Sequence, residues 1–329
     1  MHLPPELAEA IQQETENVDR AALAQAAADL TQHYRAGHFS ALAIKTGAHR
    51  AAYLAVRFPA TYAASWHAFS EARRLAPEAE IKSILDLGAG PGTAVCAASE
   101  VFPLPTRATM VEADPALIAL GKRITAQSPH PAVRNANWLK QDIKRGLFWE
   151  PHDLVVASYM LDELPLLDAR RTVLAAWQYT KQFLMIVEPG TMRGFTFVDL
   201  MRSMLIGAGA QILAPCPHSA QCPMALAGDW CHFAARVERT PIHRLLKGGT
   251  LGHEDEKFSY VVFSRTPLAT AAARIVRHPQ KHSGHVQLSL CTPHGLRIQT
   301  IGKSQKGCYK LARAAAWGDP WKDDPDSHP

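Results

Sequence analysis

The sequence predicts an α/β protein with a parallel, Rossmann-like sheet, preceded by a helical region and followed by a small β-rich region. Between about residues 79 and 212, short apolar runs alternate with helical segments, which is typical of βαβ units. The first run ends in a glycine-rich loop, and a cysteine cluster follows the last unit. These observations predict two or more folded parts, as expected at roughly 100–200 residues per domain.

Four apolar runs predict the strands of this sheet, and three helical segments separate them. The predicted strands are IKSILDLGAG (81–90), TRATMVEAD (106–114), HDLVVASYM (152–160) and QFLMIVEPG (182–190). The predicted helices are TAVCAASEVF (93–102), PALIALGKRITAQ (115–127) and LDARRTVLAAWQYT (167–180).

The regions on either side of the predicted sheet differ from it in composition. Residues 1–78 have a helical pattern, with an Ala-rich segment ending at Gly37 and a later interruption near Pro59. Residues 213–317 combine the cysteines with short β-like runs and many basic residues. The polar end, 318–329, is expected to be a disordered tail.

The composition indicates an ordinary soluble globular protein. The chain has 329 residues, 47% of them hydrophobic and 20% charged. No apolar run approaches the roughly 18 residues that a membrane helix needs. The first twenty residues are acidic and lack a basic region followed by an apolar core. We therefore expect a cytoplasmic protein that is monomeric when free and contacts no membrane, in a compartment that disfavours disulfides.

The charge of the chain is unevenly distributed. The net charge is +5, but residues 236–313 contain fourteen Lys/Arg against four Asp/Glu, a net of +10, and six histidines. Such a basic region favours a polyanionic partner, and nucleic acid is the most common one. The candidate phosphate contacts are Arg236, Arg239, Arg244, Lys247, Arg274, Arg277, Lys281, Lys303, Lys306 and Lys310. A solvated basic face without a partner is the alternative.

The loop Gly88-Ala-Gly90-Pro-Gly92 follows the first predicted strand and precedes a helix. Glycines allow tight turns and a close approach of a ligand to the backbone. The spacing is G-x-G-x-G, which differs from the G-x-G-x-x-G of dinucleotide sites and lacks the G-K-[ST] of a P-loop. It suits S-adenosylmethionine rather than a pyrophosphate, with Asp86 on the strand that leads into the loop.

Acidic residues follow the next two predicted strands. Glu112 is placed to accept hydrogen bonds from two ribose hydroxyls, Asp114 to cap the following helix, and Asp142 to contact an adenine amine. With the glycine loop, these residues resemble a class I S-adenosylmethionine-dependent methyltransferase. Catalytic residues are not identified by this pattern; Asp162 and Glu163 are weak candidates for a base, and first-turn helix acids are the alternative.

Three of the six cysteines lie within sixteen residues, at Cys216, Cys222 and Cys231, and Cys291 follows far downstream. The spacings are wider than those of common zinc knuckles and ribbons. Four thiolates suit either zinc or an iron–sulfur cluster. The histidines that could complete a zinc site are His218, His232 and His294.

Several longer motifs resemble the Rsm-type, methyltransferase-like family of small-ribosomal-subunit assembly factors. The motifs are AYLAVRFPATYAA (52–64), ILDLGAGPGTA, IVEPGT, CPHSAQCP, WCHF, RVER, EKFSYVVFSR, CTPHG and ARAAAWGD. The resemblance covers nearly the whole chain. It implies a [4Fe–4S] cluster on Cys216, Cys222, Cys231 and Cys291 and contact with the rRNA of the small subunit.

The expected function is therefore that of a methyltransferase-like protein that binds S-adenosylmethionine and acts in ribosome assembly. Two alternatives remain open at this point. The first is a non-catalytic assembly factor that keeps the methyltransferase fold as a scaffold. The second is a zinc-stabilised methyltransferase whose substrate is not RNA.

Overall fold

The computed structural model describes residues 1–35, 44–145, 148–248 and 250–322. The helix stop predicted at Gly37 lies outside the described residues, as does the end of the chain after Lys322. Within these ranges, no helix is both long enough and apolar enough to span a bilayer.

Among the described residues, three helices precede the first strand: α1 (Pro5–Glu16), α2 (Arg20–Arg35) and α3 (Gly47–Leu75). The hydroxyl of Thr46 caps α3 by accepting a hydrogen bond from the backbone N–H of His49. The interruption predicted at Pro59 is wrong, because α3 continues through it. A proline inside a helix removes one hydrogen bond. Here both sides of Pro59 are packed in the core, with Phe58 and Ala60 fully buried, which offsets that loss.

An eight-stranded sheet forms the centre of the molecule. Its order is β3-β2-β1-β4-β5-β8-β6, with β7 also paired to β8. The strands are β1 (Ser83–Leu87), β2 (Arg107–Glu112), β3 (Asn137–Lys140), β4 (His152–Ser158), β5 (Thr180–Pro189), β6 (Gln211–Ala214), β7 (Phe233–Glu238) and β8 (His253–Ser264). The first five are parallel, and β8 runs antiparallel to β5. This is the class I methyltransferase topology and confirms the predicted fold class.

Helices connect these strands and cover the sheet. They are α4 (Thr93–Val101), α5 (Pro115–Thr125), α6 (Pro131–Arg134), α7 (Leu166–Gln178) and α8 (Met192–Gly207). The strand order reverses between β1 and β4, so the loops at their carboxyl ends diverge. A crevice opens at such a point, and ligands of open α/β sheets bind there.

The long strand β8 belongs to the central sheet, although the sequence predicts it in the separate β-rich region. Its apolar second half is fully buried between β5 and β6. A strand buried on both faces belongs in the middle of a sheet, which local pattern alone does not reveal. Two short helices flank β7: α9 (Pro223–Leu226) and α10 (Pro241–Lys247).

A second sheet of five strands follows. Its order is β10-β11-β9-β13, and β12 pairs with β11. Its elements are β9 (Ala273–Ile275), β10 (Gln280–Lys281), β11 (His285–Thr292), β12 (Gly295–Gly302), α11 (Lys306–Ala314) and β13 (Pro320–Trp321). The tail predicted from 318 is thus ordered as far as Trp321, because β13 pairs with β9 and the Trp321 indole is buried.

Candidate functional site

The glycine loop lies at the carboxyl end of β1. Gly88, Gly90 and Gly92 have φ of 67°, 53° and 88°, a region that L side chains rarely adopt. A Cβ on Gly88 would lie 2.9 Å from the Met160 Cβ, whereas a Cβ on Gly90 would meet no atom within 4 Å. Gly88 therefore packs against the segment after β4, and Gly90 faces open space that a ligand can occupy.

Glu112 ends β2 and holds the glycine loop in place. The Gly90 N–H donates to its Oε2 at 2.8 Å, and the Ala113 and Asp114 N–H groups donate to its Oε1 at 2.8 and 2.9 Å. Burial raises the pKa of Glu112, and these backbone donors act against that rise. Each carboxylate oxygen has about two lone-pair sites, so Oε2 keeps one for a ligand hydroxyl, whereas two N–H donors already occupy Oε1.

Asp114 and Asp142 occupy helix and turn positions. The Ala116 N–H donates to the Asp114 carboxylate at 2.7 Å, which caps α5 as the sequence predicts. Asp142 lies just after β3, where its carboxylate accepts the Lys144 N–H at 3.0 Å. Its predicted contact with an adenine amine remains a prediction.

Asp86 is a buried carboxyl beneath the loop. Its side chain is 1% exposed, and its Oδ2 has no hydrogen-bond partner among the described residues. Burial, together with the negative charge of Glu112, raises the pKa of Asp86 to about 8. Asp86 is therefore largely neutral at pH 7, which makes direct recognition of a cationic group at this carboxyl weak.

The segment after β4 carries the two weak base candidates, and β5 places a third carboxyl beside them. Glu188 is fully buried, and its Oε1 accepts the Leu161 N–H at 2.8 Å. Burial, followed by the negative charge of Asp162, raises the pKa of Glu188 well above its usual range. The Asp162 carboxylate also lies 4.0 Å from Arg193. The sequence analysis missed Glu188, although an acid at a strand end in IVEPG was the available signal.

Helix α3 covers the other side of this crevice. Both terminal nitrogens of Arg57 donate to Glu256 of β8 at 3.2 Å, and the Tyr159 hydroxyl donates to the same carboxylate at 3.0 Å. Tyr159 has φ of 55°, unusual for a residue other than glycine. Burial raises the pKa of Tyr53 to about 12, with Arg57 opposing and the carboxylates of Glu163 and Glu112 contributing. Tyr53 thus lies near both the loop acid and a base candidate.

The four cysteines of the predicted cluster line one cavity at the junction of the two sheets. Cys216 follows β6, Cys222 precedes α9, Cys231 precedes β7, and Cys291 lies on β11. The Ser259 hydroxyl of β8 donates to the Cys231 carbonyl at 2.8 Å and fixes that segment. The six cysteines, all within the described residues, form no disulfide with one another.

The histidines that could complete a zinc site are not all at this cavity. His218 lines it, and its Nε2 lies 3.6 Å from the Cys291 Sγ. His232 stacks on Trp230 with ring centroids 5.3 Å apart and is not among the lining residues; neither is His294. Among the described residues, no group of three or more His, Cys, Asp or Glu side chains is arranged to hold a metal ion.

The cavity does not favour free thiolates. Burial raises the pKa of Cys231 well above its usual range, raises the pKa of Cys222, and raises the pKa of Cys291 to about 12; the charges of the neighbouring cysteines add to each shift. Without a bound cation these thiols stay protonated at neutral pH. A thiolate-binding metal centre would supply the missing positive charge.

Two arginines lie in the wall of the same cavity. Arg202 of α8 and Arg274 of β9 are 3% and 1% exposed. The Arg202 Nη2 donates to the carbonyls of His218 and Ala220 at 2.9 and 2.8 Å. Arg274 donates to the Pro215 carbonyl at 2.9 Å and forms an ion pair with Glu71. Both guanidinium groups therefore hold the backbone beside the cysteines.

The basic region is less available to a polyanion than its charge suggests. Arg274 is buried, so its expected role as a phosphate contact is wrong. Other candidates are already paired with acids: Arg236 with Asp255, Arg239 and Lys247 with Glu254, and Arg277 with Asp229. Within the described ranges, the exposed candidates without a salt bridge are Arg244, Lys281, Lys303, Lys306 and Lys310.

The chain is similar to mitochondrial proteins, one of which is described as a ribosome assembly protein. The profile of the family described as mitochondrial small ribosomal subunit Rsm22 matches residues 48–322. The Rsm22-cox11 tandem protein 2, mitochondrial, of Schizosaccharomyces pombe is 28% identical over 323 residues, covering 82% of this chain and 42% of its own. The ribosome assembly protein METTL17, mitochondrial, of Homo sapiens is 27% identical over 289 residues, covering 81% of this chain and 61% of its own. The chain spans about half the length of these curated relatives.

Solved methyltransferase structures also match part of the chain, with TM-scores below 0.5. The plantazolicin methyltransferase BpumL, in complex with SAH, matches 79% of this chain and 99% of its own, with 14% identity and a TM-score of 0.42. The N-methyltransferase NodS from Bradyrhizobium japonicum, also with S-adenosyl-L-homocysteine, matches 60% of this chain and 84% of its own, with 13% identity and a TM-score of 0.39.

These comparisons overturn one expectation. A cytoplasmic location is wrong, since the matched family and both curated relatives are described as mitochondrial. Neither the amino-acid composition nor the charge of the first twenty residues indicates the cellular compartment.

Proposed function

Since the chain belongs to the Rsm22 family of the mitochondrial small ribosomal subunit, we propose that it is a methyltransferase-like factor in the assembly of that subunit. It binds the rRNA of the small subunit, S-adenosylmethionine in the glycine-loop crevice, and a [4Fe–4S] cluster in the cysteine cavity. The observation that carries the proposal is that Cys291, on the second sheet, returns to the cavity lined by Cys216, Cys222 and Cys231.

The cofactor part of the proposal rests on the crevice between β1 and β4. Gly88 and Gly90 form its floor, and Gly92 leads into α4. Glu112 at the end of β2 presents its carboxylate Oε2 to the ribose, and Asp142 after β3 lies on the side expected for the base. Asp86 supports the loop from beneath, as a buried neutral carboxyl.

The cluster part rests on the number and kind of donors. Four thiols and one imidazole line the cavity. A [4Fe–4S] cluster binds one thiolate at each of its four irons. The set Cys216, Cys222, Cys231 and Cys291 fits this donor requirement. When bound, the cluster ties the second sheet to the central sheet and supplies a one-electron redox centre.

The RNA part rests on the exposed basic side chains of the second sheet and α11. Lys303, Lys306 and Lys310 lie close in sequence at the end of β12 and along α11, and all are exposed. Lysines of this kind contact phosphates and release counterions on binding. Their affinity for rRNA is therefore expected to fall steeply with salt.

A non-catalytic scaffold is the second candidate, favoured by the contacts of α3. Arg57, Tyr159 and Glu256 form a closed network beside the crevice, and Tyr53 lies near both Glu112 and Glu163. These contacts occupy side chains beside the crevice. Asp162 interacts with the buried Glu188 and lies 4.0 Å from Arg193.

The test replaces Gly90 by Asn, because Asn tolerates positive φ and its side chain enters the open space beside the loop. The matched control is Gly209→Asn, at a glycine with φ of 86° and equally open surroundings. Gly90→Asn is expected to lose binding of labelled S-adenosylmethionine, and Gly209→Asn to retain it. Equal binding by both variants contradicts the proposed cofactor site.

The same pair separates the two candidates. If small subunits assemble normally in cells carrying Gly90→Asn, the scaffold is supported. If assembly fails with Gly90→Asn alone, cofactor binding is part of the function. Failure of the wild-type protein to co-sediment with small subunits overturns the ribosomal proposal altogether.

A further inference from the structure

The two buried arginines of the cysteine cavity carry hydrogen-bond donors with no partner. Arg274 uses Nε on the Pro215 carbonyl and Nη1 on Glu71 and the Gly318 carbonyl, at 2.7–2.9 Å. Its Nη2 has no partner among the described residues, and neither has Nε of Arg202. Buried charged donors are rarely left unpaired, because desolvation of each one is costly.

The unpaired donors belong to two side chains in the wall of the cysteine cavity, so a group bound in this cavity could accept their hydrogen bonds. Arg202 lies on α8 and Arg274 on β9, so they reach the cavity from different elements. Both line it together with the four thiols, and both interact electrostatically with Cys291. A group bound between the thiols would therefore lie beside both arginine side chains.

The charge of a four-thiolate centre suits these two cations. Four thiolates around a [4Fe–4S]²⁺ core, or around one zinc ion, leave a net double negative charge. Burying such a dianion is unfavourable without nearby cations or hydrogen-bond donors. Sulfur atoms of a bound cluster accept N–H hydrogen bonds, which stabilise their negative charge.

Other titratable groups around the cavity do not remove this positive charge. Glu71 is shared between Arg274 and Arg74, so the three side chains together remain cationic. Asp199 also lines the cavity; burial raises its pKa, and Arg202 acts against that rise. Burial lowers the pKa of His218, which favours its uncharged imidazole, so this side chain adds no charge to the cavity.

We propose that Arg202 and Arg274 are positioning residues that donate hydrogen bonds to the sulfur atoms of the centre held by the four cysteines, and act as its counter-charge. This inference rests on the proposed cluster function, and it adds two arginines to the cysteine ligand set. Each arginine also holds the cysteine-bearing backbone, through the carbonyls of Pro215, His218 and Ala220.

The experiment compares four variants of the full-length protein purified without oxygen: Arg274→Met, Arg274→Lys, Arg202→Met and Arg202→Lys. The methionines keep much of the apolar stem and remove the charge. Arg57→Met is the matched control, because Arg57 is also a largely buried arginine paired with a glutamate but does not line the cavity. The readouts are iron, sulfide and zinc per chain, the rate of metal loss to a chelator, and the midpoint potential of the centre.

Both methionine variants are expected to lose the metal at least about tenfold faster than the wild-type protein, because a charge-assisted hydrogen bond to a buried anion is lost. The lysine variants are expected to recover part of this loss. If the centre is a cluster, its potential falls in the methionine variants, because a nearby cation favours the added electron. Arg57→Met is expected to retain metal at the wild-type rate, whatever its effect on thermal stability.

Equal metal retention in wild-type and methionine variants overturns the inference while leaving the cluster intact. A wild-type protein without bound metal overturns the proposed function instead. If Arg274→Met does not fold, Arg202→Met and the lysine variants decide by the same criterion. Glu71→Gln is a further check. It keeps the Arg274 guanidinium and removes the carboxylate paired with it, so metal retention is expected to stay at the wild-type level or rise.

Discussion

The glycine-loop crevice and the cysteine cavity differ in how their functional groups are brought together. In the crevice, Gly88, Gly90 and Glu112 belong to consecutive units of one parallel sheet, so chain order places them. In the cavity, Cys291 comes from the second sheet and meets cysteines that follow β6 and precede β7. The first site depends on local backbone geometry, and the second depends on how two sheets dock.

The two regions also differ in electrostatics. The crevice contains buried carboxyls, and burial raises the pKa of Asp86, Glu112 and Glu188. The cavity contains thiols beside two buried guanidinium groups. A ligand that donates hydrogen bonds therefore suits the crevice, whereas the cavity suits an anionic centre.

The largest effect is expected from removing a ligand of the cavity. Cys231→Ser is expected to abolish metal binding and to lower the free energy of unfolding by several kcal/mol, because metal-binding free energy is also folding free energy. Cys308→Ser, at a half-buried cysteine outside the cavity, is the control and is expected to retain metal. Metal assays and thermal unfolding measure both. Wild-type metal content in Cys231→Ser would remove Cys231 from the ligand set.

The next effect concerns backbone geometry in the crevice. Gly88→Ala is expected to destabilise the protein by about 2–4 kcal/mol, since positive φ costs about 1–2 kcal/mol and its Cβ would lie 2.9 Å from Met160. Gly90→Ala incurs only the backbone cost, about 1–2 kcal/mol, because its surroundings are open. Urea unfolding compares the two. A larger loss at Gly90 than at Gly88 would contradict the packing described for the loop.

A further effect depends on pH and on the buried carboxyl of Asp86. Because its folded-state pKa is raised to about 8, the folded protein holds this proton more tightly than the unfolded chain. Stability from this group is present below pH of about 4 and is lost as pH rises towards about 8. Asp86→Asn is expected to remove that decline, which is at most about 1.4 kcal/mol per pH unit.

Urea unfolding at several pH values between 4 and 8, without added ligand, measures this difference. Asp142→Asn, which makes the same change of charge at a half-exposed residue, is the control. Parallel pH profiles for wild-type protein and Asp86→Asn would show that Asp86 is not the titrating group.

The smallest effect on the fold is expected at the surface. Lys306→Ala is expected to change stability by less than about 0.5 kcal/mol. It is also expected to reduce the slope of rRNA affinity against salt by about one, if Lys306 contacts a phosphate. Lys181→Ala, at an exposed lysine near the start of β5, is the control. Filter binding at several salt concentrations distinguishes them, and equal slopes would exclude Lys306 from the RNA contact.

The sequence predicted the central part of the fold well, because its signals are local. Strands β1, β2, β4 and β5 are apolar runs bounded by turn-forming or polar residues. Asp114 is predicted to cap a helix because it directly precedes a proline. The short strand β3 was missed, since Asn137–Lys140 lacks a buried run. Strand β8 was assigned to the wrong sheet, because sheet membership is decided by tertiary pairing.

The candidate site was predictable only in part. The cysteines were identified as a group, but their wide spacing did not place Cys291 in the cavity or distinguish iron from zinc. Arg274 was wrongly interpreted as a phosphate contact. Its side chain is buried by tertiary partners, Glu71 and two backbone carbonyls, which the sequence does not reveal. Glu188 and Tyr53 were missed, because the environment of each side chain is determined by a neighbouring helix or strand and not by a sequence motif.

The most direct test of the cluster hypothesis is the metal content and visible absorption of wild-type protein purified without oxygen. About four irons and four sulfides per chain, with a broad absorption band near 400 nm, are expected for a Cys₄-ligated [4Fe–4S] cluster. A colourless protein with one zinc, or with no metal, would contradict the cluster and leave the glycine-loop crevice as the principal site.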